Sequence, residues 1–239
     1  MAPSLKAFRN PVYRIIDPIV RALIRWRIHP NALTSIGFIV TLGAGWAFHM
    51  DTVRTAGFLI LLSGLIDIFD GRVARESGLA SRFGSFYDST LDRLSEIVVY
   101  LGLLSLYNYH GATLMDLGMI YVVLLAMGGS LMVSYTRARA EALGLECSVG
   151  VMQRAERVVL LGATALFFGL SLDGLPLKMA ILAVAVLSLV TTVQRIVWVH
   201  RATSGAASRD RPGRPEASGS TGDSKVKPEL RARPGEGAD

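Results

Sequence analysis

The chain has 239 residues, 51% hydrophobic and only 18% charged. Soluble domains usually carry about a quarter charged residues, so the composition points to a membrane protein. The formal charge of +6 does not indicate a nucleic-acid partner, because the arginines interrupt or flank apolar segments and build no basic domain; lipid headgroups and phosphorylated substrates suit them better.

In chain order, residues 11–27 set Val12, Ile15, Ile16, Ile19, Leu23 and Ile24 on one helical face and Arg14, Asp17, Arg21 and Arg25 on the other. That pattern predicts an amphipathic helix lying in the membrane interface, with Pro18 expected to kink or break it. No cleavable signal peptide is expected ahead of it. Six segments are apolar enough to be read as spans: 32–50, 55–69, 86–107, 117–135, 158–172 and 177–199. A span needs about 20 mainly apolar residues, and the second and fifth fall short of that. The expected architecture is therefore an all-α integral membrane domain over 1–200, with six transmembrane helices after the interfacial one. Residues 201–239 are rich in Gly, Pro, Ser and mixed charge, which predicts a disordered polar tail,.

Basic residues are distributed unevenly between the two sets of loops. Lys6, Arg9, Arg14, Arg21, Arg25 and Arg27 precede the first span; Arg72, Arg75 and Arg82 follow the second; Arg137, Arg139, Arg154 and Arg157 follow the fourth. The other set holds only Arg54 and Lys178. The positive-inside rule then places both termini in the cytoplasm of a multi-pass protein of the cell (inner) membrane. Cys147 is the only cysteine, so no intrachain disulfide can form, and four scattered histidines give no zinc spacing,.

The chemistry concentrates between residues 67 and 92. Asp67 and Asp70 are three apart at one helix end, and Asp88 and Asp92 are four apart on the next, so each pair shares a helical face,. An aspartate near a membrane centre costs about 2.5–3.5 kcal/mol on insertion scales, and such residues face an interior or a water-filled cavity. Convergent carboxylates also repel one another until protons or cations neutralise them. Hard divalent cations with oxygen ligands meet that need, and magnesium favours carboxylates shared with substrate phosphates. Solvated helix-end acids could account for one or two of these residues, but not comfortably for two same-face pairs beside Gly71 and Arg75.

The run Asp67-Ile-Phe-Asp70-Gly71-Arg72-Val73-Ala74-Arg75, followed by Gly84, Asp88 and Asp92, resembles the signature of the CDP-alcohol phosphatidyltransferase family at every fixed position. The resemblance implies two metal ions, magnesium with manganese as the alternative, held by Asp67, Asp70, Asp88 and Asp92. It further implies that Asp92 is the catalytic base for the acceptor hydroxyl and that CMP leaves from a CDP-diacylglycerol donor. It implies donor contacts at Gly71, Arg75, Ser81 and the Pro30-Asn31-Ala32-Leu33-Thr34 stretch, through Asn31 and Thr34, and it suggests a homodimer. Gly71 and Arg75 also suit this reading physically, since glycine lets a substrate approach the backbone and arginine can hold phosphate bidentately.

A second basic cluster bears on the acceptor. Arg137 and Arg139 end the fourth span, Arg157 opens the fifth, and Arg195 lies within the apolar run of the sixth. Guanidinium groups beside a metal site suit a polyol that carries its own phosphate. These stretches resemble the prokaryotic phosphatidylinositol phosphate synthase branch of the family, which implies inositol phosphate as acceptor. Arg137 stands where that branch usually has lysine and Ala155 where it has proline, so glycerol 3-phosphate stays as the alternative. An ion-coupled transporter is the rival from another class; it would spread its acids along a pathway or use broken, repeated helices.

Overall fold

The structure, a computed structural model, describes residues 11–109 and 114–209. Seven helices and no strands occur among the described residues: α1 (Pro11–Arg25), α2 (Pro30–His49), α3 (Val53–Glu76), α4 (Arg82–Tyr109), α5 (Leu114–Ala142), α6 (Arg154–Phe168) and α7 (Leu175–Arg209). Pro18 stands inside α1 without ending it, so of the expected kink or break the break does not occur. Its ring removes one backbone donor, while Ile16 and Val20 on either side pack with Leu33, Phe69 and Val73, which ties α1 to α2 and α3.

The helices overrun the apolar segments where charge had masked them. α3 continues through the acidic motif to Glu76, and α4 begins at Arg82, four residues before the apolar run. α6, at 15 residues as short as α1, ends at Phe168 before Gly169 adopts φ 55°. Three helices, α2, α5 and α7, are long and apolar enough to cross a membrane.

Among the described residues one compact unit extends to Ala202 and a second begins at Thr203. Helix α7 reaches Arg209, so residues 201–209, expected in the disordered tail, are helical; Ala202, Ala206 and Ala207 are strong helix formers,. The remainder of the expected tail lies outside the described residues.

Helix α2 packs against both α3 and α4, while α6 packs on α3 and α5 on α4. Glycines allow the closest of these approaches. A Cβ on Gly102 would lie 2.8 Å from the Gly45 Cα, and one on Gly57 would lie 2.3 Å from the Leu166 nitrogen. Small residues at such crossings are how membrane helices gain van der Waals contact where lipid is as apolar as leucine. Phe48, Tyr100, Leu103, Val123, Leu161 and Ile181 are buried in the main apolar cluster. Hydrogen bonds stitch it laterally: Thr41 to Ser63 at 2.7 Å between α2 and α3, and Tyr100 to Ser130 at 2.7 Å between α4 and α5. Each contributes about 0.6 kcal/mol on average in a bilayer, so packing, not these bonds, sets the frame.

Candidate metal and phosphate site

Because α2 sits against both α3 and α4, a gap remains between the charged end of α3 and the start of α4. The short turn between them includes Gly78 at φ 70°, a left-handed conformation that favours glycine,. Ser77 donates to the Val73 carbonyl at 2.6 Å and closes α3. Ser81 Oγ accepts from the Gly84 amide at 3.0 Å, capping the first turn of α4.

Across this gap one carboxylate oxygen from each of Asp67, Asp70 and Asp88 lies within 4.8 Å of the others. Asp70 Oδ2 and Asp88 Oδ1 are buried and accept no hydrogen bond. Leaving charged oxygens in that state is costly, and a shared divalent cation with oxygen ligands removes the cost. The residues present therefore fit a metal.

Asp92 stands apart from this trio. Its Oδ1 is 2.7 Å from Arg154 Nη2, and Arg154 Nη1 donates to Asp67 Oδ2 at 2.8 Å. Arg154 thus joins the two outer carboxylates of the motif. Sequence reasoning placed it only in the basic flank, because nothing in its local context announces a partner 87 residues away.

Two cavities meet at the carboxylates. The first, of about 200 Å³, is lined by Asn31, Thr34, Gly71, Arg75 and Ser81 together with Asp70 and Asp88. All five expected donor-contact residues are thus brought together. A Cβ on Gly71 would lie 3.4 Å from Arg75 Nη1, and one on Gly84 would lie 3.1 Å from Ser81 Oγ and 3.3 Å from Asn31 Oδ1. The start of α2 is capped by the His29 ring, which accepts from the Asn31 amide at 3.2 Å; the Asn31 side chain is not the cap.

The second cavity, of about 700 Å³, is lined by Asp67, Asp88, Asp92 and Glu96, by Arg93, Arg137, Arg154 and Arg195, and by Glu141 and Glu156. The four arginines of the expected acceptor cluster separate here. Arg137 pairs with Glu141 at 2.9 Å and stays exposed at the rim. Arg195 is buried and donates to the Val149 and Val133 carbonyls at 2.9 and 2.5 Å, which fastens the α5–α6 loop and α5 to α7. Arg139 is exposed and lines neither cavity. Arg157 is 2% exposed and lines neither cavity, being paired with Glu96 behind the wall of the second. Spacing could not separate them, since positions 154 and 157 share a face of α6 and differ only in which carboxylate of α4 they meet,.

A carboxylate cluster that fits a divalent metal, set between a cavity lined by Gly71 and Arg75 and a second cavity lined by acids and arginines, is an arrangement that suits phosphoryl transfer,. The chain belongs to the CDP-alcohol phosphatidyltransferase family, whose family model matches residues 27–208, and it is accordingly a multi-pass membrane transferase. It is 38% identical over 195 residues to an archaetidylinositol phosphate synthase of Methanothermobacter thermautotrophicus, covering 82% of this chain and 93% of that protein. It is 36% identical over 200 residues to a phosphatidylinositol phosphate synthase of Streptomyces avermitilis, covering 81% of each. The crystal structure of the Mycobacterium tuberculosis phosphatidylinositol phosphate synthase with CDP-DAG bound superposes with a TM-score of 0.68 at 30% identity, covering 78% of this chain and 94% of that one. A second crystal structure of that enzyme, in complex with manganese and citrate, has a TM-score of 0.68 at 30% identity, covering 77% of this chain and 88% of that one.

Proposed function

We propose that the chain moves a phosphatidyl group from CDP-diacylglycerol to inositol phosphate and releases CMP. The observation that carries this reading is the carboxylate cluster standing where two chemically different cavities meet, one glycine-lined and one arginine-lined. The relatives named above are both called synthases of an inositol phosphate lipid and differ in the lipid, archaetidyl or phosphatidyl.

On this reading Asp67, Asp70, Asp88 and Asp92 hold two magnesium ions. When bound, such ions neutralise the diphosphate, orient attack and stabilise the leaving phosphate. Asn31, Thr34, Gly71, Arg75 and Ser81 take the CDP portion, with the Arg75 guanidinium laid over Gly71 to receive phosphate oxygens. Asp92, at the edge of the arginine-lined cavity, accepts the proton of the acceptor hydroxyl. That oxygen bonds to the lipid-side phosphorus as the bond to CMP breaks. Arg137 and Arg195 give the acceptor cavity its positive charge, so Arg195→Ala raises the acceptor Michaelis constant more than that of the donor. Arg157 has no part in acceptor contact, because its guanidinium is committed to Glu96.

The membrane arrangement follows from the same charges. α2 to α7 all cross the bilayer, α1 lies along its surface, and both termini and the site face the cytoplasm. The enzyme acts as a homodimer. None of the proposed site residues lies in the tail beyond Arg209.

The test is release of CMP from CDP-diacylglycerol with a panel of acceptors. Inositol phosphate is expected to be used well and free inositol poorly, since each charge-assisted contact to the phosphate is worth about 1.5–3 kcal/mol. Faster turnover of glycerol 3-phosphate would overturn the inositol assignment and leave the family intact.

A further inference from the structure

Below the metal site, two ion pairs join α4 and α6 one helical turn apart. The upper is Asp92 with Arg154; the lower is Glu96 with Arg157. The upper pair borders the acceptor cavity, with side chains 21% and 25% exposed; of the lower pair, Glu96, 8% exposed, reaches the wall of that cavity and Arg157, 2% exposed, lies behind it. Helix α6 packs on α3, and α4 packs on α2 and α5. A small cavity of about 40 Å³ lies where α4 and α6 face each other, lined by Ser95, Glu96 and Tyr100 on one side and Arg154, Arg157 and Val158 on the other. The spacing of these two helices is therefore bridged by long charged side chains. Arg157 also donates to the Met152 carbonyl at 3.3 Å, and the Met152 amide donates to Thr191 at 3.0 Å. One guanidinium thus fixes α4, the start of α6 and the loop that Thr191 holds against α7.

We propose that Glu96 and Arg157 form a positioning pair for the transfer reaction: a buried strut that sets how far Asp92 on α4 stands from the arginine-bearing wall of the acceptor cavity on α6. Arg157 lines neither substrate cavity, and Glu96 meets the acceptor cavity only at its wall beside Asp92 and Arg154. A pair kept for stability alone is a poor use of two buried charges, because a buried ion pair can be replaced by apolar groups of similar volume with little loss, or a gain, of stability. Its placement one turn beneath Asp92 and Arg154 gives it a geometric task instead. Misplacement of reacting groups by about 1 Å can cost about 100-fold in rate.

This inference rests on the catalytic reading of Asp92, so the experiment uses whichever acceptor the wild-type enzyme turns over fastest; a wrong acceptor identity leaves it intact. Single removals such as Arg157→Met strand the partner charge and can impair folding, so the decisive variant is the double replacement Glu96→Leu with Arg157→Met. We expect its melting temperature in detergent and its CDP-diacylglycerol binding to match wild type, while kcat falls by about 10–100-fold and the acceptor Michaelis constant rises. The conservative double variant Glu96→Asp with Arg157→Lys keeps the charges and shortens the strut. It is expected to bind donor normally and to lie between the two in kcat. A fully active Glu96→Leu, Arg157→Met enzyme overturns the proposal, as does a loss of turnover that tracks a loss of thermal stability and donor binding in both variants.

Discussion

Asp67 and Asp92 share the Arg154 guanidinium at 2.8 and 2.7 Å, whereas Asp70 Oδ2 and Asp88 Oδ1 are buried with no hydrogen-bond donor. The aspartates should therefore respond differently to substitution. Asp70→Asn and Asp88→Asn remove a negative charge from the group that fits a cation, so turnover should collapse at low magnesium and recover in part as the metal concentration rises. Asp92→Asn should lose about 10²–10⁴-fold and recover far less, because Asp92 adds the general base to its share of the metal and a missing base is not replaced by more metal. The measurement is CMP release across a magnesium titration, with donor binding followed in parallel. Near-wild-type turnover of Asp70→Asn at low magnesium would remove that residue from the ligand set. The aspartates were legible in the sequence because fixed spacing on two helix ends is a local property. Arg154 was not, since its two carboxylates arrive from α3 and α4 through tertiary packing. Glu96 carried a usable signal: it is a carboxylate inside the expected third span, one turn after Asp92, and charges within spans usually mark paired or functional positions.

Among the helices, the described elements follow the apolar runs closely but extend past them wherever charge begins, as α3 does through Asp67, Asp70 and Arg75 to Glu76. Hydropathy reports contact with lipid, while helix continuity depends on backbone hydrogen bonds that a charged stretch keeps equally well. The sequence also hid which glycines are packing contacts. A Cβ at Gly57 would meet the Leu166 nitrogen at 2.3 Å and the Gly162 oxygen at 2.7 Å, both backbone atoms that cannot turn aside. At Gly118 a Cβ would meet nothing within 4 Å. Gly57→Ala should therefore push α3 from α6 and destabilise by about 1–3 kcal/mol or more. Gly118→Ala should be neutral or stabilising by up to about 1 kcal/mol, since alanine is the better helix former. Thermal unfolding of both variants in the same detergent checks this; equal melting temperatures would mean that the α3–α6 crossing relaxes freely.

At the scale of the whole molecule, the six-span reading turns on α6. Its 15 residues make a rod of about 22 Å at 1.5 Å per residue, against a hydrocarbon core of about 30 Å. Length alone would leave α6 as a helix that enters the membrane without crossing. The charge distribution argues for crossing: Arg154 and Arg157 stand at its start, and the turn after Phe168 carries only Asp173 before Lys178, which pairs with Asp116 at 2.8 Å. Basic residues gather at the end nearer the metal site, so the ends of α6 should lie on opposite sides, with local thinning or flanking residues making up the difference at fractions of a kcal/mol per Å of mismatch. The lone Cys147 is buried at 2% exposure, which leaves a low background for thiol labelling. Ser148→Cys, in the α5–α6 loop, and Ser171→Cys, in the α6–α7 turn, both stand at exposed positions. In sealed inside-out vesicles a membrane-impermeant maleimide should label Ser148→Cys and spare Ser171→Cys until detergent is added. Labelling of both before detergent would make α6 re-entrant and put the end of α7 that carries Arg195 on the wrong side for the acceptor cavity.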